Sequence, residues 1–189
     1  MGKRQLVAAV LGVVVSAYSV YVEGRKREDE DFQPVCNINS WSSCTSAFEH
    51  PVGTGFGFIC DITGEGMYVI LGGSIFWSTC VQNFDWKFSD YILCQKNSVY
   101  GVFFYGAMIP LILIRNTFTA EILLFMSLAS IIISTYLTII LFQIRNFCIV
   151  CAATHVINII LLIDNWRSRR EIMAEAYADI RKAEIKKTS

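Results

Sequence analysis

Charge is scarce in this sequence. Asp, Glu, Lys and Arg make up only 17% of its 189 residues, against about 25% in an ordinary soluble domain. The signs balance, 16 basic against 16 acidic, so the formal net charge is zero. Nothing global draws the chain to nucleic acid, and no basic patch with interleaved aromatics occurs. Histidine is scarcer still. His50 and His155 are the only two, and they lie far apart, so no His-rich metal site is expected. A Gly-rich phosphate loop, a Ser/His/Asp arrangement and an N-x-S/T sequon are all missing. No nucleic-acid partner, no metal and no bound cofactor are expected.

What the sequence does contain is grease and sulfur. Apolar residues make up 54% of the chain, and the mean hydropathy is +0.47. Four apolar runs stand out, at residues 6–22, 99–114, 122–142 and 147–163. The last has 17 residues and would cover about 25 Å as a helix, near the lower limit for a membrane span. The second holds Pro110, which in a span implies a kink supported by neighbouring helices. The expected fold is an all-α membrane protein, a four-transmembrane-helix bundle. Residues 1–163 are expected to form one four-helix membrane domain, and 164–189 an amphipathic tail bearing Met173, Ala176, Tyr177, Ile180 and Ala183.

Orientation follows from basic residues at the span ends. Lys3 and Arg4 precede the first run, and Arg167, Arg169 and Arg170 follow the last. Both termini are therefore expected in the cytosol, with loop 23–98 in the lumen. Arg25, Lys26 and Arg27 run against this, although Glu23 and Glu28–Asp31 surround them. The closing "KKTS" resembles a dilysine retrieval address for the endoplasmic reticulum; two solvated lysines ending a helix are the plainer alternative.

Seven cysteines occupy positions 36, 44, 60, 80, 94, 148 and 151. Five fall in the loop, which suggests an oxidising compartment, and the odd total leaves one thiol unpaired or exchanging. Cys148 and Cys151 form C-x-x-C where the last apolar helix begins. A helix N-terminus favours thiolate, the species that attacks disulfides and electrophilic carbons. Two small buried apolar residues would be the bland account of the pair. Cys148, Cys151, His155 and Asn158 also share one helix face, which reads as one wall of a pocket. Alone, His155 and Asn158 are equally compatible with hydrogen bonds between helices. Cys36 and Cys44 enclose seven residues, enough for a local staple or for an outer pair that relays electrons to Cys148. Asn97 and Ser98 read as helix caps. Residues 67–77 are too short to span and suit an interfacial anchor, with Cys80 and Cys94 as a staple and Cys60 without a clear partner.

Taken together, "VCNINSWSSC" with Phe48, "GFG" at 55–57, "NSVYG" at 97–101, and "FCIVC" followed by Thr154 and "IN" at 157–158 resemble the vitamin K epoxide reductase family over roughly residues 6–163. The resemblance implies a four-helix bundle in the endoplasmic reticulum membrane with a luminal, cysteine-bearing cap loop. It implies reduction of a lipid-soluble vitamin K-type quinone or epoxide to the hydroquinone. By the same resemblance Cys148 and Cys151 are the active-site pair, with Cys151 attacking substrate. Cys36 and Cys44 shuttle electrons from a luminal thioredoxin-like dithiol protein, Cys44 passing them to Cys148. Asn97 would hydrogen-bond a quinone oxygen, and Phe48 would line the pocket. His155 stands where animal members usually carry a hydrogen-bonding tyrosine, and the stretch between Gly57 and Asn97 is longer than usual, so substrate preference and inhibitor response stay open. No thioredoxin-like stretch is fused within these residues. The same relay could instead run toward making disulfides in partners. A claudin-like structural protein, which also carries a stapled first loop, leaves Cys148 and Cys151 without a purpose.

Overall fold

The computed structural model describes residues 2–37, 42–49, 53, 54, 56, 96–143 and 145–188. Cys60, Cys80 and Cys94, the 67–77 anchor and His50 lie outside the described residues. Among the described residues five helices follow in chain order: α1 (Gly2–Glu28), α2 (Cys44–Glu49), α3 (Asn97–Leu113), α4 (Thr117–Gln143) and α5 (Ile149–Thr188). No strand occurs among the described residues; Thr54 and Lys96 form one isolated antiparallel bridge.

Three of these helices, α1, α4 and α5, are long and apolar enough to cross a membrane, and α3 is apolar but shorter. Their outward faces are greasy: Phe103, Phe125 and Phe142 are 72%, 74% and 77% exposed. The interior holds the polar groups instead, including Gln5, Ser127, Asn158 and Asn165. That inversion suits hydrocarbon, where a polar side chain is costly unless it faces the bundle and finds a partner. Gln5 donates to Asn165 Oδ1 at 2.8 Å, and Asn165 donates in turn to Ser127 Oγ at 2.6 Å. One polar chain thus ties α1, α5 and α4 together at the end remote from the thiols.

α1 packs chiefly on α3 and α5, and α4 chiefly on α5. The α1–α3 contact is close because small residues line it. α1 buries Ala8, Ala9, Gly12, Ser16 and Ser19 at three- and four-residue spacing. A Cβ on Gly12 would sit 2.5 Å from the Tyr105 ring, and one on Gly101 2.5 Å from Ser16 Oγ. Tyr105 cannot step aside, because its hydroxyl donates to buried Asn158 Oδ1 at 2.7 Å. Gly12→Ala is therefore expected to destabilise the bundle by about 1–3 kcal/mol through overpacking. Gly106 has nothing within 4 Å of its Cβ position, so Gly106→Ala should be neutral or stabilise the helix by up to about 1 kcal/mol. Thermal unfolding of both variants in detergent checks the contrast; equal melting temperatures would remove the close α1–α3 contact as the cause.

The connections from α3 to α4 and from α4 to α5 are short and chemically specified. Asn116 caps α4 by accepting the Thr119 N–H at 2.7 Å, the Asx cap expected at a helix start. α4 ends with Arg145 at φ 53°, while Arg145 N–H donates to Phe142 O and Asn146 N–H to Leu141 O at 3.1 and 3.0 Å. This pair of bonds is a Schellman closure, with arginine in the left-handed position usually held by glycine. α5 then runs 40 residues, about 60 Å, through the expected tail without a break. Arg169 bonds Glu121 at 2.7 Å and Arg115 bonds Glu175 at 3.0 Å, which orients the extension against α4 and the α3–α4 turn. Along it, Tyr177 and Ile180 are exposed.

Candidate functional site

The thiol end is built from the Schellman turn outward. It delivers Asn146 and then Cys148, which stands immediately before α5. Cys148 Sγ accepts the Cys151 N–H at 3.3 Å. This is the geometry of an N-cap, with sulfur in the place usually taken by a serine or aspartate oxygen. The free donors of the first helical turn thus face sulfur, the contact that an open helix end offers to negative charge. Cys148 is buried and Cys151 only half-buried, and both are free thiols.

Cys36 and Cys44 are joined by a disulfide, with Cα atoms 5.8 Å apart. Asn37 organises their loop. Its Oδ1 accepts from the N–H groups of Cys44 and Thr45 at 2.8 and 3.3 Å and from the Ser43 hydroxyl at 3.2 Å. The loop is thereby folded around the N-terminus of α2. Asn146 fastens it to the bundle: Ser43 N–H donates to Asn146 Oδ1 at 3.3 Å, and Asn146 Nδ2 donates to Ser43 O at 3.1 Å. Residues 103 apart in sequence are thus clamped backbone to side chain, immediately before Cys44 and two residues before Cys148. Cys36, Cys44 and Cys148 pack in one buried cluster with Ala47, Leu141 and Val150, and Cys151, Phe48 and Tyr18 flank it.

The remaining expected residues distribute differently. Phe48 flanks the cysteine cluster and also lines a cavity of about 170 Å³ beside it, together with Glu23 and Lys96. Asn97 is not the cap of α3. The cap position falls to Lys96, which makes no side-chain cap bond, because an ammonium has no acceptor for the helical N–H groups; Lys96 Nζ donates instead to Phe48 O at 3.0 Å. Asn97, the first helical residue, accepts the Phe56 N–H at 2.8 Å, and the Phe56 ring stacks on Tyr100 with centroids 5.3 Å apart. Ser98, also expected as a cap, donates instead to the Glu23 carboxylate at 3.0 Å. His155 is held from α4, with Nδ1 2.9 Å from Ser134 Oγ, and Asn158 is taken by Tyr105. The polar face of α5 therefore carries two thiols at its mouth and interhelical hydrogen bonding below.

Asn37, Asn146 and Ser134 are absent from the sequence reading, and Glu23 figures there only as a charge beside the basic run. Asn146 offered a signal, standing just before "FCIVC" after an apolar run, where asparagine marks a turn. The others become visible only when distant segments meet. Among the described residues no group of three His, Cys, Asp or Glu side chains forms a metal site.

A family model described as "Vitamin K epoxide reductase family" matches residues 5–166. Two similar proteins, both called "Vitamin K epoxide reductase complex subunit 1", come from Rattus norvegicus and Mus musculus. Each is 28% identical over 163 residues, covering 86% of this chain and 86% of its own.

Proposed function

The chain belongs to the vitamin K epoxide reductase family, and from that membership we propose that it is an endoplasmic reticulum membrane oxidoreductase reducing a vitamin K-type quinone or epoxide through Cys36, Cys44, Cys148 and Cys151. One observation carries the reading furthest: the Cys36–Cys44 disulfide and Cys148 share one buried cluster, while Cys151 lies at its edge and is less buried. That asymmetry supports a division of labour. Cys148 is sheltered toward the outer pair, so it exchanges with Cys44. Cys151 is left accessible to a molecule arriving from the bilayer. A quinone and a dithiol each exchange two electrons, so one substrate turnover converts the inner dithiol to a disulfide. The outer pair then restores it by thiol–disulfide exchange, and a luminal thioredoxin-like dithiol protein recharges the outer pair.

Phe48 supplies apolar wall beside the relay, Asn97 an amide at the start of α3, and His155 a ring nitrogen one turn below Cys151. In this reading Asn97 and His155 hold the two quinone oxygens. The same four cysteines serve the reverse direction, disulfide formation with quinone as acceptor, and the partner's reduction potential sets which one runs.

The test uses membranes bearing the intact chain, given a dithiol and either vitamin K epoxide or the quinone. Dithiol-dependent appearance of quinone and hydroquinone by chromatography is expected. Product no greater than in membranes lacking the chain would overturn the reading.

A further inference from the structure

His155 brings two ring nitrogens to the bundle, and the helices use one. Its Nδ1 meets Ser134 Oγ of α4 at 2.9 Å, while its Nε2 has no hydrogen-bond partner among the described residues. A polar ring atom left open inside a membrane helix is costly, so the second nitrogen calls for a ligand. The ring is well placed for one. His155 follows Cys151 by four residues on α5, which sets the two side chains one above the other on the same helix face. Both are half-buried, whereas Cys148 and Asn158, at either end of that face, are buried.

The neighbours of Ser134 decide which nitrogen carries the proton. A serine or threonine inside a helix commonly turns its hydroxyl back to a carbonyl three or four residues earlier. Ser127 donates to Leu123 O at 2.8 Å, Ser130 to Ser127 O at 2.9 Å, Thr138 to Ser134 O at 2.7 Å and Thr154 to Val150 O at 3.0 Å. Ser134 departs from this habit. Its contact to Ile131 O is stretched to 3.3 Å, and the His155 ring is nearer. A hydroxyl has one proton to give. Given to the nearer acceptor, it goes to Nδ1, which is then the bare nitrogen of a neutral imidazole, and the ring's own proton sits on Nε2. A quinone oxygen accepts hydrogen bonds and has none to donate. Of the two neutral tautomers, only the one protonated at Nε2 can hold it through that nitrogen.

We propose that Ser134 is a positioning residue for the substrate: its hydroxyl donates to His155 Nδ1, fixes the ring proton on Nε2, and makes His155 a hydrogen-bond donor to one quinone oxygen beside Cys151. The proposal deepens the quinone-reducing reading above and rests on it. Ser134 itself does not touch the substrate. It acts through His155 in two ways. It removes the competing tautomer, whose bare Nε2 would face the quinone oxygen lone pair to lone pair, and it holds the ring against rotation.

The experiment uses the full chain, in membranes for kinetics and in detergent micelles for spectroscopy. Parent, Ser134→Ala, Ser134→Thr and His155→Ala are compared with vitamin K quinone and a small dithiol. Ser134→Ala should raise KM for the quinone about tenfold, the effect of losing one hydrogen bond, and leave kcat within about threefold, as when ground-state and transition-state binding are lost together. Ser134→Thr keeps the hydroxyl and should hold KM within about threefold of the parent. A role in packing alone predicts the reverse order, since alanine fits wherever serine fits and threonine adds a methyl group. The second readout needs no substrate. The chain has two histidines, so in a His50→Gln background the nitrogen-15 spectrum of a histidine-labelled sample belongs to His155 alone. Recorded on the neutral ring at alkaline pH, it should show a protonated Nε2 and a bare Nδ1 in the parent and in Ser134→Thr, and a mixture of tautomers in Ser134→Ala. A parent ring protonated at Nδ1, or a Ser134→Ala chain with the parent's spectrum and KM, would overturn the proposal. His155→Ala should raise KM at least as far as Ser134→Ala does; an unchanged KM would remove the contact between His155 and quinone, and the proposal with it. Absence of quinone reduction in the parent would overturn the quinone-reducing reading itself, and the nitrogen spectra would still decide whether Ser134 sets the tautomer.

Discussion

Cys151→Ala is expected to abolish reduction of vitamin K epoxide and quinone whichever electron donor is supplied. The loss should be on the order of a thousandfold or more, as for removal of a covalent nucleophile. The residue is half-buried, and alanine there removes the proposed nucleophile without opening a large cavity. Unfolding is thus separable from loss of chemistry. The companion variants make the prediction specific. In the proposed relay, Cys148→Ala leaves the nucleophile but removes the sulfur that resolves it, so turnover should also stop, with a substrate adduct on Cys151 detectable by mass. Cys36→Ala and Cys44→Ala break only the outer disulfide. A small dithiol that reaches the inner pair directly should keep these two active, while a thioredoxin-like protein donor should not. Undiminished turnover in Cys151→Ala, or equal loss in all four variants with both donors, would contradict the division of labour.

The second large effect is expected at a residue that carries no sulfur. Asn146 holds the outer loop on the bundle through two hydrogen bonds to the Ser43 backbone. Each is worth about 1 kcal/mol net, so Asn146→Ala should weaken docking by about 2 kcal/mol, which is about thirtyfold in the docked population. In the proposed relay, transfer from Cys44 to Cys148 requires the docked loop. Turnover driven by a protein dithiol should therefore fall about thirtyfold, while turnover driven by a small dithiol stays within about threefold, given that the Schellman closure uses Asn146's backbone and not its side chain. Asn146→Asp should fall between: it still accepts from Ser43 N–H but, ionised, cannot donate to Ser43 O. Measuring both donors in parallel checks this, and an equal fall with both would place the effect of Asn146 on the inner pair instead.

Much of this arrangement was legible in the chain because hydrophobic runs and sulfur spacing are local. Leu6–Val22 and Ile122–Phe142 lie inside α1 and α4, since a continuous apolar run in a helix buries its own backbone groups wherever it packs. Cys148 and Cys151 were legible at a helix start because the turn before them is specified within six residues. The edges were less so. Asn97 reads as a cap and is not one, because Lys96 takes that position and the amide is engaged by Phe56, a residue 41 positions away. The last helix continues through the expected tail, because no proline or glycine interrupts residues 149–188 and Arg169 and Arg115 fasten the continuing helix.

By itself the sequence determined membrane character, the apolar helices, the family resemblance and the two cysteine pairs. Composition and short-range periodicity settle such features, and they need no knowledge of which segment meets which. Tertiary structure alone decided that Asn146 clamps the outer loop, that Ser134 takes His155 and Tyr105 takes Asn158, and that Glu23 faces the cavity beside the cysteines. Each depends on partners from different segments of the chain, between 21 and 103 residues apart. In a bundle whose outer faces are uniformly apolar, the few polar side chains find one another only after the helices have packed.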